Sequence, residues 1–189
     1  MDNFKSYIEL NEIFDSTLPL TRHKTLENAI KSKYYPHTLT NIEAYHTEHK
    51  KNPYVFIRFK HKGAWEVHYS RADENSTTGL EPLNKHKGAD ASHLVGTAIK
   101  LYKEKLDRDQ PIRYVGDNQN LNRLYDSTFK HISKKDYNGK LHSLKITDFK
   151  DHNGEKKEAT EIHTHDIGSP SIATRMTNEN YVSPYTQLN

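Results

Sequence analysis

Two runs of alternating residues, separated by a short turn, most constrain what this chain can fold into. Within 53–61 (PYVFIRFKH), Val55, Ile57 and Phe59 alternate with Phe56, Arg58 and Lys60. Within 64–71 (AWEVHYSR), Trp65, Val67 and Tyr69 alternate with Glu66, His68 and Ser70. A strand sends successive side chains to opposite faces, so this period suits antiparallel strands buried on one face. His61-Lys62-Gly63 reads as the turn that joins them into a hairpin. A weaker strand, Leu39 to Thr47, is expected to pair ahead of it.

Elsewhere the period changes to that of a helix. Ala91, Leu94, Val95, Ala98, Ile99, Tyr102 and Leu106 form one apolar stripe behind an N-cap at Asp90. Pro111 closes the connection, and Ile112 to Val115 gives a short strand. Gly116-Asp117-Asn118 turns into a second helix with Leu121, Leu124, Tyr125, Phe129 and Ile132 on its face. Asn138-Gly139 signals a hairpin-like turn before a strand at Leu141 to Phe149, and Asn153-Gly154 another before a strand at 158–164. The expected fold is α+β: a mostly antiparallel sheet with two main helices over 37–164. Residues 1–36 read as a leader, with Phe4, Tyr7, Ile8 and Ile13 on one helical face, and a short helical segment from Leu26 to Ile30. Residues 72–89 form a long polar loop. From about residue 165 the chain lacks periodicity and is rich in Ser, Thr, Asn and Pro, so 165–189 reads as an extended arm.

Composition narrows the function. Of 189 residues, 33% are hydrophobic, which falls short of the ~45–50% of ordinary globular chains even after the 8 glycines are added. The 12 Tyr, 6 Phe and one Trp are enough to seed a small core. No run approaches the ~18 apolar residues of a membrane-spanning helix, and the N-terminus lacks the pattern of a secretory signal. With no cysteine, disulfide scaffolds, thiolate metal sites and cysteine nucleophiles are excluded. The net charge of +3 divides as 0 over 1–36, +5 over 37–149 and −2 over 150–189. A weakly basic body of this kind permits nucleic-acid contact without requiring it.

Three groups of residues could carry chemistry. Glu66 and His68 share one strand face, at a spacing that suits paired acid–base work. His163 and His165, two residues apart on the expected last strand, point to one side and can chelate a metal ion, with His46, His49 or His152 as further ligands. The run Lys130-His131-Ile132-Ser133-Lys134-Lys135, with Lys140 and Lys145, can touch phosphates or an acidic protein surface, or complement its own helix dipole.

The segment Val115-Gly116-Asp117-Asn118-Gln119-Asn120-Leu121-Asn122-Arg123-Leu124-Tyr125 resembles a motif of the GNAT-type acyltransferases, V-x-x-x-N-x-x-A-x-x-L-Y, with Leu121 in place of Ala. The resemblance implies a three-layer sandwich, acetyl-CoA as cofactor, Tyr125 as general acid and Asn118 holding the acyl-CoA arm, with Glu66 or His68 as base. It also implies a glycine-rich turn for the CoA pyrophosphate, where Gly88 and Ala89 fall. This chain departs from the family there. The turn reads Asn84-Lys85-His86-Lys87-Gly88-Ala89-Asp90, and Asp90 sets a carboxylate where bare peptide donors must meet an anion. Lys85 and Lys87 offset it in part.

A second resemblance covers the whole chain. A leader with spaced aromatics (Phe4, Tyr7) precedes Phe14-Asp15 and Pro19. Then come a Trp-Glu-Val strand (Trp65, Glu66, Val67), a Thr-Gly loop (Thr78, Gly79), and Leu124-Tyr125-Asp126 in the second helix. This order resembles small virion-associated proteins of large contractile-tailed bacteriophages. In such leaders Leu10-Asn11-Glu12 matches the pattern cut by phage maturation proteases. The resemblance implies a structural protein, in the particle or the infected cell, that meets other phage proteins through its leader and arm and needs no cofactor and no membrane. Three readings follow: a non-enzymatic virion component, a GNAT-type N-acetyltransferase, and a host-takeover binding protein.

Overall fold

The computed structural model describes residues 16–34, 39–72, 91–115 and 119–165. Among them the chain is α+β, with a seven-stranded, mostly antiparallel sheet and three helices. In chain order the elements are β1 (Thr21–Arg22), α1 (Lys24–Tyr34), β2 (Thr40–His49), β3 (Asn52–His61), β4 (Ala64–Arg71), α2 (Ala91–Leu106), β5 (Ile112–Val115), α3 (Gln119–Asp136), β6 (His142–Lys150) and β7 (Lys156–His163). The strand order is β1-β2-β3-β4-β5-β7-β6, and β4 with β5 is parallel. No helix of the described residues is long and apolar enough to cross a membrane. The chain gathers into two compact units. Among the described residues, one holds those from 16 to Phe59 together with those between Val67 and Glu104; the other holds Lys60–Glu66 and those from Lys105 to 165.

In the first unit, α1 begins where the His23 Nδ1 accepts the backbone N–H of Leu26 at 3.2 Å. Ile30 then packs with Leu39, Ile42, Ala44, Val55, Ile57 and Phe59, so residues before position 37 are part of this core. Glu27 fastens the helix to β2: it accepts the N–H of Ala44 at 3.2 Å and pairs with Arg22. That contact also explains β1, two exposed residues whose pairing with Tyr45 and His46 has no signature in the sequence pattern. On the other face of β3, Phe56 stacks on Tyr69, and Arg58 reaches the Leu101 carbonyl of α2 at 2.9 Å. The Tyr102 hydroxyl meets the backbone N–H of Val67 at 3.1 Å.

The expectation that the hairpin is buried on one face is therefore corrected. Tyr54, Phe56 and Arg58 are as inaccessible as Val55, Ile57 and Phe59. A strand covered on both faces still alternates when its second face must carry polar groups that bond the covering helix. The turns are tight. Lys50 and Lys51 join β2 to β3 with φ of 49° and 65°, and Lys62 and Gly63 join β3 to β4 with φ of 46° and 87°. Two consecutive residues in the left-handed region are what a two-residue hairpin loop requires, because that turn matches the strand twist.

In the second unit, α3 lays Tyr125, Phe129 and Ile132 against β5, where Tyr114 stacks on Phe129 at 5.5 Å. The Tyr114 hydroxyl bonds Asp126, and burial followed by this bond raises its ionisation far above the ordinary range. Asn138-Gly139 turns out to end this helix rather than to open a hairpin. The Ser133 carbonyl accepts the N–H groups of Tyr137 and Gly139, at 3.2 and 2.7 Å, and the Ser133 hydroxyl accepts that of Leu141. β6 and β7 pair from His142/His163 to Lys150/Lys156, with a register shift between Ile146 and Phe149. Asp151 organises their connection by accepting the N–H groups of Asn153 and Glu155, each at 2.9 Å.

Candidate functional site

Among the described residues, a dense polar arrangement lies in the second unit, around an arginine set in an apolar strand. In Ile112-Arg113-Tyr114-Val115 the period of two sends Arg113 to the face opposite Tyr114. Its side chain is 1% exposed, so each of its five donors needs a partner. All find one. Nε and Nη2 donate to Glu161 Oε2 at 3.2 and 2.6 Å. Nη1 donates to Glu66 Oε1 at 3.0 Å and to the His61 carbonyl at 2.9 Å, and Nη2 also reaches the Lys62 carbonyl at 3.2 Å.

An imidazole flanks each carboxylate. His61 Nδ1 lies 3.2 Å from Glu66 Oε1, and His163 Nε2 lies 2.6 Å from Glu161 Oε1. The Phe149 ring covers the guanidinium at 4.5 Å, and Lys62 Nζ stands 5.3 Å from that ring while donating to the Lys150 carbonyl. Burial alone would raise the Glu161 pKa. The bond from His163 and the charge of Arg113 outweigh burial and hold Glu161 below the ordinary carboxylate range.

The residues expected to carry chemistry are placed as follows. Glu66 is 1% exposed and tied to Arg113 and His61, which is the position of a buried counter-ion, not of a base open to substrate. His68 is half-buried, its ring tilted on Phe59 at 5.1 Å. Tyr125 is buried, with its ring 5.1 Å from that of Tyr114. Gly88, Ala89 and Asn118, and with them the expected pyrophosphate turn, lie outside the described residues, as do Asp90, the leader up to residue 15 and the arm from 166.

The His163–His165 pair does not share a strand face, because β7 ends at His163 and His165 falls in the bend beyond it. The imidazoles face different carboxylates: His163 meets Glu161, and His165 Nε2 stands 3.8 Å from Asp109. The further ligands are engaged with other rings or buried elsewhere: His46 packs edge-on to His23, and His49 stacks on His93. Among the described residues no group of three or more His, Asp or Glu assembles to hold a metal ion.

Arg113, the organising residue, lies outside every motif legible in the sequence. The available signal was a cation within an otherwise apolar four-residue strand, which in a buried position demands counter-charges. Comparison with known proteins finds no matching family model, no matching curated protein and no matching solved structure.

Proposed function

We propose that this chain is a non-enzymatic, virion-associated structural protein of a bacteriophage, with a GNAT-like body as a rigid block and its two ends as tethers to neighbouring subunits. The observation that carries the non-enzymatic half is the state of Glu66. A carboxylate that is 1% exposed and bonded to a guanidinium at 3.0 Å is placed as a buried counter-ion, not as a base open to a substrate amine. The virion half rests on the order of leader, Trp-Glu-Val strand, Thr-Gly loop and Leu-Tyr-Asp helix in the sequence.

A second reading, an acyl-CoA-dependent N-acyltransferase, draws on the strand order β1-β2-β3-β4-β5-β7-β6 and on the parallel pairing of β4 with β5 before α3. In that reading Tyr125 is the acid, Asn118 orients the thioester and His68 replaces Glu66 as base.

Two measurements separate the readings. Saturating acetyl-CoA should leave the melting temperature of the purified protein unchanged; a rise of several degrees would favour the acyltransferase. Mass spectrometry of purified particles should find the chain in stoichiometric amount, and its absence from particles would remove the structural reading.

A further inference from the structure

The solvent face of α3 is a stripe of cations that no carboxylate of the described residues pairs. Arg123, Ser127, Lys130 and Lys134 are all exposed, and at ~100° per residue they fall within an arc of about 60°. The buried residues Tyr125, Thr128, Phe129 and Ile132 centre on the opposite side of the same helix. The stripe therefore points away from the core that positions it.

Its charges differ from those of the neighbouring strands. On β6 and β7, Lys145 pairs with Asp126 at 2.6 Å, Lys156 with Asp148 at 3.4 Å, and Lys157 with Asp151 at 3.4 Å. No carboxylate of the described residues pairs with Arg123, Lys130 or Lys134, nor with Lys135 and Lys140 where the helix ends. Unscreened like charges at i, i+4, as at Lys130 and Lys134, destabilise a helix slightly. A local cost with no counter-ion among the described residues favours a partner that supplies one.

We infer that this face of α3 docks on the phosphate backbone of double-helical DNA. From Arg123 to Lys134 the cations extend over ~16 Å of helix, longer than the ~12 Å width of a major groove. Flexible basic side chains at that spread meet phosphates on both of its walls. An acidic protein surface is the less suited partner. Stable protein interfaces are anchored by buried aromatic or aliphatic groups, and the exposed positions of this stripe offer three cations and one hydroxyl. Binding with that composition is electrostatic and independent of base sequence.

The test is fluorescence anisotropy of a labelled 30-base-pair duplex titrated with the full-length chain between 50 and 200 mM salt. Three phosphate contacts give a slope of log K against log salt of about −2.7, a loss of roughly 40-fold across that range. Arg123→Gln/Lys130→Gln/Lys134→Gln should flatten the slope towards zero while leaving the melting temperature within a degree or two. Lys100→Gln/Lys103→Gln, on α2, should change neither. The inference is overturned if the wild-type chain does not bind at 50 mM salt, or if the triple variant keeps the wild-type slope. Tighter binding to a poly-glutamate peptide than to the duplex would equally overturn it, by assigning the stripe to an acidic protein.

Discussion

Each unit of this molecule buries an arginine on the polar side of an alternating strand, and the two are held in different ways. Arg58, in the first unit, donates to Glu43 at 2.6 Å, Glu104 at 2.7 Å, the Tyr45 hydroxyl at 3.2 Å and the Leu101 carbonyl. The carboxylates it meets keep contact with water, their side chains being 19% and 45% exposed. Arg113, in the second unit, meets carboxylates that are 1% and 2% exposed. If Arg58 is lost, its partners turn to solvent. If Arg113 is lost, two anions are stranded in a low-dielectric interior. A guanidinium therefore does different work according to whether its counter-ions can escape.

The largest expected effect breaks the tighter lattice. Arg113→Met should destabilise the fold by about 3–5 kcal/mol, the range for removing one member of a buried ion pair, read from urea unfolding followed by circular dichroism. Arg58→Met should cost less, about 1–2 kcal/mol, because Glu43 and Glu104 rehydrate. Equal losses at the two sites would erase the distinction.

Acid sharpens the comparison. Glu161 is held below the ordinary carboxylate range in the native state, as burial is outweighed by His163 and Arg113. A depressed native pKa contributes stability that is complete above the unfolded value and fades as pH falls through the native one. Wild-type stability should therefore drop as pH is lowered below about 4.5, and Glu161→Gln should be less stable at neutral pH but show a shallower drop. Glu27 in the first unit is lowered too, with burial opposed by the Arg22 bond and the Ala44 N–H. Glu27→Gln should remove a separate part of the same acid limb; an unaltered limb in both variants would contradict the assignment.

The smallest effect lies in a turn. Lys50 and Lys51 both occupy the left-handed region, where side chains other than those of Gly, Asn and Asp are disfavoured. Lys50→Asn/Lys51→Gly supplies the residues that such a loop prefers and should add about 1 kcal/mol to stability. A loss instead would mean that the lysine side chains themselves hold the turn.

Much of the fold was legible because its signals are local. The hairpin of β3 and β4 follows from a period of two, and α2 and α3 follow from continuous apolar stripes. Less legible was whatever depends on pairing at a distance. Arg113 and Glu161 lie 48 residues apart, and nothing near either one shows that they meet. Glu66 was visible as a polar residue on a strand, but whether its face met water or a guanidinium depended on β5 and β7. The Asn138-Gly139 turn was legible in place and misread in kind, because the same left-handed pair that closes a hairpin also stops a helix.

The most direct measurement is a double-mutant cycle between Arg113 and Glu66, using Arg113→Met, Glu66→Gln and the pair in urea unfolding at pH 7. If Glu66 is spent on holding the fold, the single substitutions are costly and strongly non-additive, with a coupling of about 2 kcal/mol or more. A Glu66→Gln variant as stable as the wild type, with coupling near zero, would contradict this and return Glu66 to the residues kept for chemistry.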